Sequence, residues 1–280
     1  MSGLDEPPVT DRPWLAMCVQ APDALVSGLC RRIDHDIATR TGLQLQAAVI
    51  RVHDAETIRA FYGLSGGTAG PHWPLVEALY AGRPIRITWW AGDQALVRLQ
   101  AVKGRTQPAE SAPDTIRGRH WCDNPVTNLI HVSDDEEMMS RESRLLAALP
   151  AGRPPSEHTF RRPWNWARHS ALATLVRVLA PAVGRDPDRL LVLPRSGDAA
   201  ETARRSIQVL RRLARAAPDG VAAHIVEAYL GGESRPLEAF ISDQRVGDWD
   251  ALVLRAGLHA VGPWLRRLQG CRDASEEPAA

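Results

Sequence analysis

Apolar and polar positions divide the chain into two stretches of different character. From residue 13 to residue 149, apolar runs of strand length alternate with amphipathic ones. PWLAMCVQ (13–20) is apolar enough for a buried strand and stops at the Ala21-Pro22-Asp23 turn. Asp23 is placed to cap a helix running from about Ala24 to Thr41, whose Leu25, Leu29, Ile33 and Ile37 recur at helical spacing. QLQAAVIRV (44–52) predicts a second strand, and PIRITWW (84–90), rich in β-branched and aromatic residues, a third. Between them lie helices at Asp54–Tyr62 and Pro74–Tyr80, separated by the Gly-rich LSGGTAGP. A helix from Asp93 to Val102 leads into a polar stretch, Lys103–Thr127. Loops of that length inside a compact domain are uncommon and usually functional. The run Asn128–His131 and an acid-started helix, Asp134–Leu149, close this part. The order β-α-β-α-α-β-α-loop-β-α is that of an α+β, ferredoxin-like α/β sandwich.

The second stretch is patterned for helices. Residues 150–163 (PAGRPPSEHTFRRP) have linker composition. A helix near Asn165–Val183 and a strand-like run at Arg189–Leu193 precede a strong helix, Asp198–Ala217. That helix opens on a capping-box-like Asp198-Ala199-Ala200-Glu201 and carries an apolar stripe of Ile207, Leu210, Ala214 and Ala217. Two more helical stretches follow, Val221–Leu230 and Trp249–Leu268. The expected organisation is a tail at 1–12, a first domain at 13–149, a linker at 150–163, a mainly α-helical domain at 164–270 and a disordered tail at 271–280.

Composition narrows the function classes. The chain has 280 residues, with a formal charge of +1, 44% hydrophobic and 24% charged residues, which is ordinary for a globular protein. That balance gives no global reason to expect a membrane or nucleic-acid partner. The four cysteines, Cys18, Cys30, Cys122 and Cys271, show no CxxC or metal-type spacing and read as free thiols. The N-terminus lacks the apolar core of a secretory signal, and no run approaches the roughly 18 apolar residues of a membrane span, so a cytoplasmic location is expected. Among 34 basic residues Lys103 is the one lysine, so any role for a flexible amine falls to it.

The chemistry concentrates in residues 106–142, TQPAESAPDTIRGRHWCDNPVTNLIHVSDDEEMMSRE. An imidazole is a good nucleophile toward phosphorus at neutral pH, and its phosphorylated form can pass the group on. Arg117 offers a planar fork for phosphate and Thr106 a hydroxyl donor. The segment closely resembles the nucleoside diphosphate kinase stretch T-N-P-x-x-S-x-P-G-T-I-R-G-D-F, then N-x-I-H-G-S-D-S, then a glutamate in the next helix. One residue is added between Arg119 and Asn128. The Pro22-Asp23 turn, Tyr62, Pro84 and Trp90 also fall where that family has them, so the resemblance covers about residues 13–148.

The resemblance implies the nucleoside diphosphate kinase fold and a set of roles. His131 would carry the phosphate, with Glu142 orienting its ring and Ser133 beside it. Thr106 and Arg117 would bind the nucleotide phosphates and Asn128 the ribose, while Tyr62 would hydrogen-bond in the pocket. The aromatic that stacks on the base falls at His72 or Trp73. A nucleoside triphosphate such as ATP, with its bound Mg²⁺, would be the phosphate source, and the protein itself would supply no metal ligands. Homo-oligomerisation and a protein partner for the C-terminal half stay open, and nucleic acid is not an expected partner.

The pattern also breaks. The family's lysine before the Pro-Asp turn is Ala21, a phosphate-gripping arginine is Gln100, and the glycine after the histidine is Val132. Lys103 and Arg105 either rebuild a cationic cradle for the nucleotide beside Thr106 or point to solvent. The expected activity is therefore transfer of the γ-phosphate through a phosphohistidine at His131, to an acceptor that need not be the usual one. The alternative is an impaired relative that binds nucleotide and works as a sensor or interaction scaffold, or one that works by interaction alone. In the C-terminal half, the arginines Arg204, Arg205, Arg211, Arg212 and Arg215 read as a solvated helix face or a surface for an acidic partner or RNA. The cluster Arg161-Arg162-Pro163-Trp164-Asn165-Trp166 reads as packing at the domain junction or a base-stacking surface.

Overall fold

The structure is a computed structural model and describes residues 14–153, 167–190, 197–216 and 220–273. The cluster around Trp164 and Trp166, residues 191–196 and both chain ends at 1–13 and 274–280 lie outside the described residues. The described residues form two compact units, one comprising 14–104, 114–116 and 128–153 and the other 105–113, 117–127 and 167–273.

The first unit is an α+β fold around a four-stranded antiparallel sheet. Its strands are β1 (Leu15–Gln20), β2 (Gln44–Val52), β3 (Pro84–Ala91) and β4 (Ile130–His131), in the order β2-β3-β1-β4. Every residue of β1 is buried, as expected of a central strand covered on both faces. Its register places Val19 opposite His131 and Gln20 opposite Ile130. The helix expected over 24–41 is two helices, α1 (Pro22–Val26) and α2 (Cys30–Thr41). Gly28, at φ 65°, adopts the left-handed conformation that a glycine takes without a Cβ clash and so turns the chain between them. Helix α3 (Ala55–Gly63) begins with a capping box at Asp54 and Thr57. Helices α4 (Trp73–Tyr80) and α5 (Ala95–Lys103) follow, and α6 (Ile116–Arg119) is a single turn in the long polar stretch. Helix α7 (Glu136–Ala147) has Asp135 as its N-cap, accepting from the Met138 N–H at 2.6 Å.

The residues expected to open the linker instead continue the sheet edge. Val52 N–H donates to Pro150 O at 3.1 Å and Gly152 N–H to Ile50 O at 3.0 Å, along the outer side of β2. Gly152 is required there, since a Cβ would lie 2.8 Å from the Ile50 side chain.

The second unit is helical: α8 (Ala171–Leu179), α9 (Pro187–Leu190), α10 (Ala199–Ala216), α11 (Val221–Leu230), α12 (Ser234–Asp243), α13 (Asp248–Leu258) and α14 (Val261–Asp273). Leu175, Leu210, Val226, Tyr229, Leu254 and Trp264 are central to its core. The strand expected from Arg189 is, as far as it is described, the end of a helix opened by Pro187. The single helix expected over 249–268 is two, broken at His259–Ala260; Pro263, which lacks an N–H, sits in the first turn of α14, where none is needed. Helix α14 runs to Asp273, past the expected boundary at 270. Helix α12 was not expected, although Leu237, Phe240 and Ile241 lie at i, i+3 and i+4 and are all buried.

The division also differs from a cut at the linker. Most of the polar stretch joins the helices, because its polar groups bond to them. Asp123 accepts from Ser170 Oγ at 2.6 Å and from the N–H groups of Ala171 and Leu172 at 2.9 Å, closing the N-terminus of α8.

Candidate active site

Helix α7 is amphipathic, and its buried face carries Met139, Glu142 and Leu146. A carboxylate at such a position, 2% exposed, is costly unless partners surround it. Glu142 has two. Ser133 Oγ donates to Glu142 Oε2 at 2.5 Å, and His131 Nε2 lies 2.9 Å from both carboxylate oxygens. The carboxylate can only accept, so Nε2 carries the ring hydrogen and Nδ1 the lone pair. The imidazole is thus oriented with Nδ1 as its nucleophilic nitrogen.

The backbone before the histidine is held just as firmly. Leu129 is fully buried at φ 74°, a strained conformation for a branched residue. Its N–H donates to Asp23 Oδ2 at 2.8 Å and its carbonyl accepts from Ala21 N–H at 2.9 Å. The conspicuous Pro-Asp turn thereby fixes the approach to β4. After the histidine, α5 reaches three successive carbonyls: Lys103 Nζ donates to Val132 O at 3.2 Å, and Gln100 Nε2 to Ser133 O at 2.8 Å and Asp134 O at 2.6 Å.

An aromatic wall stands over the imidazole. The Phe61 ring meets it edge-on with centroids 5.2 Å apart, and Tyr62 lies at 6.4 Å. Trp73 packs on Tyr62 at 5.8 Å, while His72 is the residue preceding α4. Behind Phe61, His53 is buried; burial pushes its imidazole down to about 4, and its Nδ1 lies 3.2 Å from Thr57 Oγ1.

The structure thus brings His131, Ser133, Glu142 and Tyr62 together in the first unit, with the half-buried Asn128 two residues before β4. Lys103 answers neither expectation in simple form, since its ammonium turns inward to a backbone carbonyl. Thr106 and Arg105 are exposed and Arg117 is buried, and all three sit on segments belonging to the helical unit. Sequence reasoning missed Asp23 and Leu129 as positioning groups. The Pro-Asp turn was visible, but its buried acceptor role depends on a contact spanning 106 residues.

In the helical unit, Arg204 and Arg205 both pair with Glu201, which neutralises part of the expected basic stripe. Arg212 and Arg215 bond carbonyls of their own helix. Among the described residues, no helix is long and apolar enough to cross a membrane.

A buried carboxylate orienting a histidine at the end of a short edge strand, in this topology, defines an α+β domain of nucleoside diphosphate kinase type followed by a helical region. Comparison with known proteins agrees. The family model "Nucleoside diphosphate kinase" matches residues 16–148. The nucleoside diphosphate kinase of Streptomyces coelicolor is 36% identical over 125 residues, 44% of this chain and 88% of the relative. That of Haloquadratum walsbyi is 30% identical over 141 residues, covering 50% and 85%. Among solved structures, a halophilic nucleoside diphosphate kinase from Halobacterium salinarum in complex with CDP has 23% identity and a TM-score of 0.44, over 54% of this chain and all of that one. The chain belongs to the nucleoside diphosphate kinase family through its N-terminal domain. The C-terminal half has no match.

Proposed function

We propose that the protein is a phosphotransferase that takes the γ-phosphate of a nucleoside triphosphate onto His131 and passes it to an acceptor. The observation that carries this reading is the contact of His131 Nε2 with both oxygens of the buried Glu142 carboxylate. With Nε2–H held there, the Nδ1 lone pair attacks the γ-phosphorus, and the bond from that phosphorus to the β,γ-bridging oxygen breaks. The nucleoside diphosphate leaves with the bond electrons, and the positive charge developing on the ring is stabilised by Glu142. The second half reverses the chemistry: an acceptor oxygen attacks the phosphohistidine and His131 is regenerated. Ser133 keeps Glu142 in place by donating to it.

By resemblance, Thr106 and Arg117 hold the phosphates, Asn128 holds the ribose, Tyr62 hydrogen-bonds in the pocket, and His72 or Trp73 faces the base; the packing of Trp73 on Tyr62 favours Trp73. Among the described residues no cluster of three His, Cys, Asp or Glu groups is placed to cage a metal. Mg²⁺ would arrive bound to the triphosphate oxygens, as is usual for an ion that keeps phosphates and waters as ligands, and would neutralise their charge. The acceptor need not be an ordinary nucleoside diphosphate, because the cations around the phosphates differ from the family's. Nothing in this reading calls for a membrane; a cytoplasmic location suits a nucleotide substrate.

Incubation with γ-labelled ATP and Mg²⁺ tests the proposal. Acid-labile, alkali-stable label on the wild type and none on His131→Ala is expected. A wild type that takes up no label overturns it.

A second reading, a nucleotide-binding relative with impaired transfer, is favoured by Ala21 and Gln100. The Gln100 amide is committed to two backbone carbonyls and brings no charge to the phosphates. Nucleotide binding without labelling is its signature.

A further inference from the structure

The segments that carry Thr106 and Arg117 are built into the helical unit, and a set of polar bonds holds them there. On the first segment, the carbonyls of Ala109 and Ser111 both accept from Arg267 Nη1 of α14, at 2.7 and 3.1 Å. The Ala109 side chain is buried in the helical core. On the second segment, the Asp123 carboxylate takes Ser170 Oγ and two N–H groups of α8, while its carbonyl accepts Trp264 Nε1 at 2.8 Å. Asn124 Nδ2 and Thr127 Oγ1 both donate to His169 O, at 3.2 and 2.6 Å. His169 Nε2–H donates to His120 O at 2.5 Å, and burial holds that imidazole neutral by pushing it down to about 3. The two segments also press on one another, since a Cβ on Gly118 would lie 2.0 Å from Ala112 O.

A buried carboxylate is a costly way to close a helix. Burial raises the Asp123 carboxyl above its ordinary range even with four donors around it. A neutral cap, such as the Ser170 hydroxyl that accepts from the Ala173 N–H, closes a helix end with no charge to desolvate. What the polar contacts add is a defined backbone position for the loop at 109–111, at 120 and at 123–127. Arg117 lies between these fixed points, and Thr106 lies three residues before the first.

We infer that the C-terminal helices serve as the holder of the nucleotide loop, with Arg267 and Asp123 as positioning residues that set Thr106 and Arg117 for the phosphates. The inference rests on the nucleotide reading proposed above for those two residues. It assigns the C-terminal half a definite role, the ordering of one substrate-contacting loop. Anything that shifts α14 against α8 then shifts nucleotide affinity.

The test uses the full chain with Arg267→Ala, Arg267→Lys and Asp123→Asn, reading amide hydrogen exchange over 105–119 and ADP affinity by calorimetry. Arg267→Ala is expected to speed exchange in that segment at least tenfold and weaken ADP binding about tenfold, with Arg267→Lys restoring most of both. Asp123→Asn is expected to act in the same direction, and it keeps the question open to refutation if Arg267→Ala fails to fold. Wild-type exchange over 105–119 in both variants overturns the inference, and so does faster exchange with unchanged ADP affinity. A wild type that binds no ADP overturns the nucleotide reading instead, and the exchange measurement then decides the holding on its own.

Discussion

The buried Asp23 carboxylate accepts the N–H of Leu129 at 2.8 Å, joining the turn after the first strand to the residue two positions before the histidine. Leu129 sits at φ 74°, a conformation that costs about 1 kcal/mol or more and persists only while its neighbours enforce it. Asp23→Ala removes the acceptor and leaves a buried N–H unsatisfied. Unfolding in urea should show a loss of about 2–3 kcal/mol. Labelling of His131 should fall further than stability alone explains, because β4 loses its registration. A variant with wild-type stability and labelling would show that this contact sets neither.

Glu142→Gln tests the orientation of the imidazole. An amide in place of the carboxylate can turn its NH₂ toward Nε2, favour the other tautomer and leave Nδ1 protonated. The fold should survive, since volume and one acceptor are kept. The rate of label uptake should drop by about 10²-fold or more. Ser133→Ala should cost less, because it leaves the carboxylate on His131. Equal rates for wild type and Glu142→Gln would remove the carboxylate from the mechanism.

Much of the fold and the site is legible in the chain, and what is not has identifiable causes. Strands β2 and β3 read off within a residue because their alternation and β-branched content are local signals. The split of the 24–41 helix is hidden because an apolar stripe continues across Gly28 at helical spacing, masking the one residue that turns left-handed. The pairing of His131 with Glu142 is available from spacing in a known pattern. The inward turn of Lys103 is not, since a lysine at a helix end next to a polar loop reads as readily for solvent as for a carbonyl. The loop's allegiance to the helices is hidden for a similar reason: Asp123 and Asn124 look like turn residues, and their partners Ser170, His169 and Trp264 lie 45 or more residues away.

Two buried histidines predict how the protein responds to acid. His53 is pushed from 6.5 down to about 4 and His169 down to about 3, both by burial. The unfolded chain therefore takes up these protons first. Their contribution is complete above about pH 6.5, and stability is lost as pH falls through the window between 6.5 and the lowered values. The slope approaches about 1.4 kcal/mol per pH unit for each histidine in that window. Denaturation midpoints from pH 7.5 to 4.5 should fall accordingly, and His53→Gln should flatten the part belonging to the first unit. A midpoint independent of pH in this range would contradict both assignments.

Helices α8 and α13 meet where Gly257 leaves room for Tyr229. A Cβ on Gly257 would lie 1.9 Å from the Tyr229 hydroxyl and 2.4 Å from the Ala171 side chain, and that hydroxyl donates to Leu254 O at 3.2 Å. Gly257→Ala must push the helices apart or break the hydrogen bond, at a cost of about 2–4 kcal/mol. Scanning calorimetry should show a lower melting transition for the helical unit. Adding Tyr229→Phe removes the hydroxyl and should recover part of the loss, which identifies the clash as its cause.

The two donors on α5 separate a charge role from a positioning role for Lys103. Lys103 Nζ donates to Val132 O and Gln100 to the next two carbonyls, so the turn after His131 is fastened at three consecutive residues. Lys103→Met keeps the aliphatic stem and removes the ammonium. If the amine acts on the backbone, thermal stability should drop by about 1 kcal/mol and labelling of His131 should slow, while nucleotide affinity changes by less than about threefold. Lys103→Arg should restore labelling. If the amine acts as a phosphate cation, affinity should fall by about tenfold or more, in line with loss of a charge-assisted contact. Since the structure directs Nζ to a carbonyl, the first pattern is expected. The second would return Lys103 to the nucleotide and make it the replacement for the lysine that Ala21 lacks.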